Sequence, residues 1–443
     1  MFQTLKNALK IKDIRSKLVY TFLALIVVRL GSQIIIPGIN AEEIKAFFDS
    51  FASKSFFDAF TGGGFSQMSI FTLSITPYIT ASIIIQLLTI AIPKLEEMQK
   101  DGEDGRKKLS EATRYVAVVL AMVESLAMAI GFSQKNMLDG GWKTITIIVL
   151  SMTAGSTYLM WLGERITEKG VGNGISIILL INIVSRVPND MNNLYTQFIR
   201  GKENRFEQVI AFLVIAAIIA FIVVFVVILQ DAERRIPVQY AKKTQGRKQV
   251  GGQSTYIPLK VNTAGVIPVI FTTSILQLPI LISGLFGIQA ASGKGVGIWP
   301  KILKLFSANA WFNIKSPSEF KYTLGVVIYL VLLVFFAYFY TSITFNPIEV
   351  ANNMKKNGGF IPGIRPGKAT TEYLTSVLNR IILIGVTGLA IVAIIPLIFE
   401  GVFDARVSFG GTSLIIIVGV VIETMKQIES QMLVRHYKGF LSE

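Results

Sequence analysis

The stretch TPYITASIIIQLLTIAIP, Thr76 to Pro93, decides how this chain is read. It is long and apolar enough to cross a bilayer. Yet it carries two prolines, several threonines, a serine and a glutamine, with three isoleucines at its middle. A helix that met only lipid would need neither hydroxyls nor helix-breakers. The mixture suits a surface that sometimes meets water.

The rest of the chain sets the class. Of 443 residues, 52% are hydrophobic and 16% charged, which excludes an ordinary soluble domain. Runs such as Val209–Leu229 and Gly325–Tyr340 each approach the length a membrane span requires. The N-terminal MFQTLKNALKIKDIRSK reads as no cleavable signal peptide, because it has no small-residue cleavage site. There is no cysteine, so thiol chemistry and disulfides are excluded. The one histidine, His436, reads as a surface residue, and no histidine-based metal site is available. No cofactor is expected.

Hydropathy predicts ten spans, at about 18–36, 74–93, 112–131, 144–163, 173–187, 208–229, 263–286, 322–345, 377–399 and 410–433. The fifth is short, and proline interrupts the second and seventh. The expected fold class is an all-α integral membrane protein. Lysine and arginine favour the side shared by residues 1–17, the even-numbered loops and the tail 434–443, which places both termini in the cytoplasm. Ten spans divide into halves 18–187 and 208–433 joined by an external linker, 188–207. Five is odd, so the second half enters from the opposite side, as an inverted repeat would.

Three regions carry the functional argument. The segment FFDAFTGGGFSQMS, Phe56–Ser69, is too short to cross and too apolar for a solvated loop. It reads either as a flexible external loop or as a re-entrant element filling a cavity. In the second span, Ile79 and Ile83 share a helical face. That face is a lipid stripe, or, if it borders water, part of a dewetted constriction. Among ionisable residues in the spans, Glu124 is a candidate functional acid, with helix packing as its alternative role. Arg29 reads as snorkelling from the outer end of the first span. Glu423 and Glu429 lie near the inner end of the tenth, and no series of acids forms a proton relay.

Two predicted cytoplasmic loops, 230–260 and 346–373, are longer than a connection needs. They hold the basic residues Arg234, Arg235, Lys242, Lys243, Arg247, Lys248, Lys355, Lys356 and Arg365. Positive-inside bias explains some of that charge but not the length. Docking of an acidic or nucleic-acid partner explains both. The chain's net charge of +15 agrees. No phosphate-binding GxxxxGK[ST] loop occurs, since ASGKGVG at 291–297 lacks the hydroxyl after its lysine.

Several of these stretches together resemble the SecY family of protein-conducting channels. They are RLGSQIIIPGI (29–39), TPYITASIIIQLL (76–88), DGEDGRKKLSEATRY (101–115), GERITEKGVGNGISI (163–177), ERRIPVQYAKKTQGRK (233–248), QSTYIPLKVNTAGVIP (253–268), NPIEVANNMKKNGGFIPGIRPG (346–367) and FGGTSLIIIVGVVIE (409–423). The resemblance implies two inverted five-helix halves around a central hourglass pore. Its apolar ring would be Ile79, Ile83, Ile175, Leu179, Ile270 and Ile416. A plug at about 57–65 would include Phe57, Phe60, Gly62, Gly63, Gly64 and Phe65. The second and seventh spans would form a lateral gate, with Thr80, Ile84, Glu124 and Asn262 at it. The two basic loops would dock a SecA ATPase or the ribosome, with Arg365 as the key basic residue. SecE-like and SecG-like small membrane subunits are the implied partners, and signal sequences and unfolded polypeptides the implied passengers, at a bacterial plasma membrane.

Two other readings compete. An ion-coupled secondary transporter also fits broken helices and inverted topology, but the spans hold few acids. An intramembrane enzyme lacks a suitable cysteine, histidine, Ser/Lys pair or aspartate pair. The expected function is transport of polypeptide, without catalysis by this chain.

Overall fold

The computed structural model describes residues 2–39, 61–133, 138, 141–200, 205–240, 243–245, 248–250, 254–285, 298–306, 311, 320–403 and 411–439. Helices lie at all ten expected segments: α2 (Lys12–Gly31), α3 (Thr76–Ala91), α5 (Glu103–Ser133), α6 (Trp142–Lys169), α7 (Gly174–Leu194), α8 (Arg205–Asp231), α9 (Ile267–Leu285), α11 (Leu324–Thr344), α13 (Lys368–Phe403) and α14 (Gly411–Gly439). Shorter helices are α1 (Phe2–Lys10), α4 (Pro93–Lys100), α10 (Ile298–Phe306) and α12 (Pro347–Lys356).

By length and apolarity, six helices among the described residues can cross a membrane, and α3 joined to α4 would be a seventh. The physical reasons for the shortfall from ten are local. Helix α2 spends its first turns on Lys12, Asp13, Arg15 and Lys17 and carries Arg29 in its last. Helix α9 contains Pro279, and α14 carries Glu423 and Lys426.

The prolines of the opening stretch do not break a helix. Pro77 stands in the first turn of α3 and Pro93 in the first turn of α4, where a missing N–H costs nothing. Ile92 between them is extended, as a residue before proline prefers, and the two helices meet at 103°. The hydroxyls are satisfied inside α3: Thr80 donates to the Thr76 carbonyl at 3.1 Å and Thr89 to that of Gln86 at 2.7 Å. Helix α7 runs past the expected end of the fifth span, through Pro188 to Leu194, and continues as a π-turn over Tyr195–Ile199.

Close backbone approach fixes the first half. A Cβ on Gly174 would lie 2.0 Å from the Gly163 carbonyl oxygen, so α6 and α7 touch main chain to main chain there. Asn173 caps α7 by accepting from the N–H groups of Ile175 and Ser176. The second half is built on a separate apolar cluster that draws on α8, α9, α11, α13 and α14. Helix α1 returns to the end of α14: Ala8, Ile14, Val171 and Ile428 are buried together, and Lys17 Nζ donates to Gln431 Oε1. The start of the chain therefore packs against its last helix.

The long loops after α8 and α12 form one body. Strand β1 (Glu233–Tyr240) pairs antiparallel with β4 (Ser254–Lys260) and with β5 (Gly359–Phe360). Between β1 and β4, the short strands β2 (Lys243–Gln245) and β3 (Lys248–Val250) make a hairpin. Ile236 and Val238 point inward from β1 and are buried with Leu259, Ala351, Met354, Ile361, Leu374, Val377 and Ile381. Each such side chain contributes about 1.5–3 kcal/mol of burial. Pro237 and Pro258 are tolerated because β5 covers only Gln239 and Tyr240, and β4 is an edge strand.

Candidate pore, gate and docking surface

The six expected ring residues come from α3, α7, α9 and α14. Ile416 of α14 is buried in an apolar cluster otherwise built from α2, α6, α7 and the turn before α3, and Ile79, Ile175 and Ile270 pack against it. Four of the six, one from each helix, therefore border the same apolar cluster. Ile83 sits in a second cluster with Phe271 and Phe336, against which Ile79 also packs. Leu179 is buried but joins neither cluster. An ion in such a region would find no ligand to replace its hydration.

The described part of the expected plug is buried rather than solvated. Gly62 and Gly63 take positive φ of 65° and 90°, which glycine adopts without strain. From Thr61 through Ile75 nearly every residue is buried or half-buried; Gln67 is the exposed one. Thr61 Oγ1 accepts from the Phe65 N–H, and Thr72 Oγ1 donates to the Ser69 carbonyl. A Cβ on Gly155 of α6 would lie 2.1 Å from the Ile70 carbonyl oxygen, so the turn rests directly on that helix. Phe57 and Phe60 lie outside the described residues.

At the expected gate, α9 packs against α5 and α11 and touches α3. Thr80 is buried and Ile84 half-buried on α3. Glu124 is half-buried on α5, and no hydrogen bond joins it to Asn262 among the described residues. Asn262 is buried in the turn before α9, and its Nδ2 has no hydrogen-bond partner among the described residues. Its Cα lies against Gly385 of α13. The structure therefore does not pair the two polar residues that the sequence placed at the gate. Phe271 and Phe336, which it brings together, gave no signal in the sequence beyond being apolar residues in spans.

On the sheet side, Arg234, Arg235, Lys355, Lys356 and Arg365 are all exposed. Arg235 Nε donates to Glu233 Oε1 at 2.7 Å, and that hydrogen bond raises its pKa from the ordinary value. Its guanidinium also lies 4.9 Å from the Tyr256 ring centroid, across the β1–β4 pairing. Nothing in the sequence singles out Tyr256. Lys355 and Lys356 end α12, where the helix dipole favours cations. Arg365 stands in a turn between Gly363 and Gly367, both with positive φ. Among the described residues only its carbonyl is engaged, accepting from Thr370 Oγ1 at 2.9 Å. Lys243 and Lys248 lie on the β2–β3 hairpin, while Lys242 and Arg247 fall outside the described residues.

Comparison with known proteins places this arrangement. A family model described as SecY matches residues 69–425. A protein translocase subunit SecY of Halalkalibacterium halodurans is 44% identical over 450 residues, covering all of both chains. The solved structure described as "The structure of a protein conducting channel" superposes with a TM-score of 0.65 at 20% identity, over 95% of this chain and 93% of that one. Sec61 in the canine ribosome-channel complex from the endoplasmic reticulum superposes at 0.63 with 18% identity, over 95% of this chain and 93% of that one.

Proposed function

The chain belongs to the SecY family of protein-translocase channel subunits, which are not enzymes, and from that premise we propose how its parts divide the work. The ten helical segments cross a bacterial plasma membrane ten times, with both termini in the cytoplasm. Ile79, Ile83, Ile175, Leu179, Ile270 and Ile416 ring the waist of the pore. The turn that includes Gly62–Phe65 belongs to the plug above it. Helices α3 and α9 part to release signal sequences and membrane segments into lipid. The sheet and α12 dock the driver, a SecA ATPase or a translating ribosome, and SecE-like and SecG-like subunits complete the complex.

What supports this reading is that one apolar residue from each of four helices belongs to, or packs against, the same apolar cluster. Each of those residues alone is explained by lipid or by core. Their convergence is what a seal around a passing chain needs, since it binds nothing specifically. The exposed basic sheet supports docking of an acidic or phosphate-bearing partner. Sec61 in a ribosome-channel complex, with the same fold, favours the ribosome as one such partner.

The test is reconstitution. Vesicles holding this chain with its small subunits should import an unfolded secretory polypeptide when SecA and ATP are added. Import that is equally fast without this chain would overturn the reading. A reporter fused after Glu443 should read cytoplasmic, and a periplasmic reading would contradict the ten-pass arrangement.

A further inference from the structure

The glycine turn is seated in a polar notch, not in the apolar core. Arg29, in the last turn of α2, donates from Nη1 to the Gly62 carbonyl at 3.2 Å. On the other side stands α7. A Cβ on Gly62 would lie 2.6 Å from Arg29 Nη1, 3.0 Å from Ser185 Oγ and 3.1 Å from Asn182 Cα. A Cβ on Gly63 would lie 3.3 Å from Arg186 Nη1. Further along, Asn182 Nδ2 donates to Ser74 Oγ at 3.2 Å in a buried bond, and Ser74 itself holds a positive φ of 51°. Ser185 Oγ donates to the Asn182 carbonyl at 2.7 Å, fixing the wall of the notch.

These contacts have a mechanical consequence. A segment held by apolar packing alone can slide, because dispersion is non-directional. A main-chain carbonyl held by a guanidinium has one seated position, and it leaves by exchanging that bond for water. The cationic donor makes the bond stronger than a neutral one. An added Cβ at Gly62 would push Arg29 Nη1 aside and press the Asn182 backbone, at a φ of 65° that strains any side chain, so the seat fits glycine with the Arg29 bond made.

We propose that Arg29 is a positioning residue for gating. Its bond to the Gly62 carbonyl latches the plug turn into the seam between α2 and α7. The resting channel is therefore held shut at that seam as well as at the isoleucine ring. This gives Arg29 a specific acceptor, where its place at the end of a span explains only that its charge reaches water. The proposal rests on the channel reading above.

The test measures resting conductance of the purified complex in planar bilayers, with thermal stability recorded beside it. Arg29→Gln should raise the resting open fraction roughly tenfold, as loss of a charged hydrogen bond implies. Gly62→Ala should raise it similarly, because the new Cβ displaces the turn from the guanidinium. Since both remove one contact, the double variant should open no more than the more open single variant. Arg29→Lys keeps the charge without the planar fork and should lie between parent and Arg29→Gln. If Arg29→Gln does not fold, Arg29→Lys paired with Gly62→Ala runs the same cycle. An unchanged open fraction in the arginine variant that folds, or effects that multiply in the double variant, would overturn the latch. Variants widened at the isoleucine ring serve as the control. If those also carry no current, it is the channel reading that fails.

Discussion

Phe271 of α9 meets Phe336 of α11 edge to face, with ring centroids 5.7 Å apart and an interplanar angle of 81°. Phe271 also meets Tyr340 edge-on at 6.3 Å. Such pairs add about 0.5–1.5 kcal/mol each beyond their buried area. Helix α3 contributes Ile79, Ile83 and Leu87 to the same cluster as Phe271, and no ring among the described residues there. The seam between α3 and α9 is thus the weaker one, and α9 should move with α11 when it opens.

The absence of cysteine makes that testable on a clean background. A short bifunctional reagent joining Leu87→Cys to Ile267→Cys should block both import and sideways release. The same reagent joining Phe271→Cys to Phe336→Cys should leave import close to the parent rate. Equal inhibition by both links would contradict an opening that separates α3 from α9.

Asn262 offers a second probe of the gate. Its amide nitrogen is buried without a partner among the described residues, so an apolar replacement removes a desolvation cost of about 1–3 kcal/mol. Asn262→Leu should leave thermal stability equal or higher while shifting how hydrophobic a signal sequence must be for release. An unchanged threshold would leave Asn262 a packing residue against α13.

The docking surface separates two effects. Arg365→Glu should abolish partner-driven import while changing stability by less than about 0.5 kcal/mol, because its side chain is exposed. Ile236→Ala should do the reverse, costing about 2–5 kcal/mol, because Ile236 is buried at the centre of the sheet's core. Limited proteolysis of that variant should then cut both loops together, since β1 and β5 share one sheet. Normal import by Arg365→Glu would remove this residue from docking.

Helix positions were legible because apolar length is a local property: a helix lies at each of the ten expected segments, and six of them, or seven with α3 joined to α4, are long and apolar enough to cross a membrane. Pairing between distant loops is not local. Gln239 pairs with Phe360, yet the alternation of ERRIPVQY says only that a strand has an inside face. The prolines misled for a related reason. Pro77 and Pro93 read as interruptions, but a proline in a first turn begins a helix. Pro188 was invisible as a helical residue, although α7 passes straight through it. The seat of Gly62 depends on Arg29 and Asn182, which no spacing rule connects. The glycine run marked the turn, and only the fold shows what it rests against.

In the proposed channel, residues from four helices seal one pore. Serine at Ile79, Ile83, Ile270 and Ile416 together should wet the constriction, so the resting channel leaks ions in planar bilayers while polypeptide import largely persists. Ile83→Ser alone should leak less, because the plug remains as a second seal. If the quadruple variant stays as ion-tight as the parent, even with residues 57–65 deleted as well, these helices do not surround a common pore.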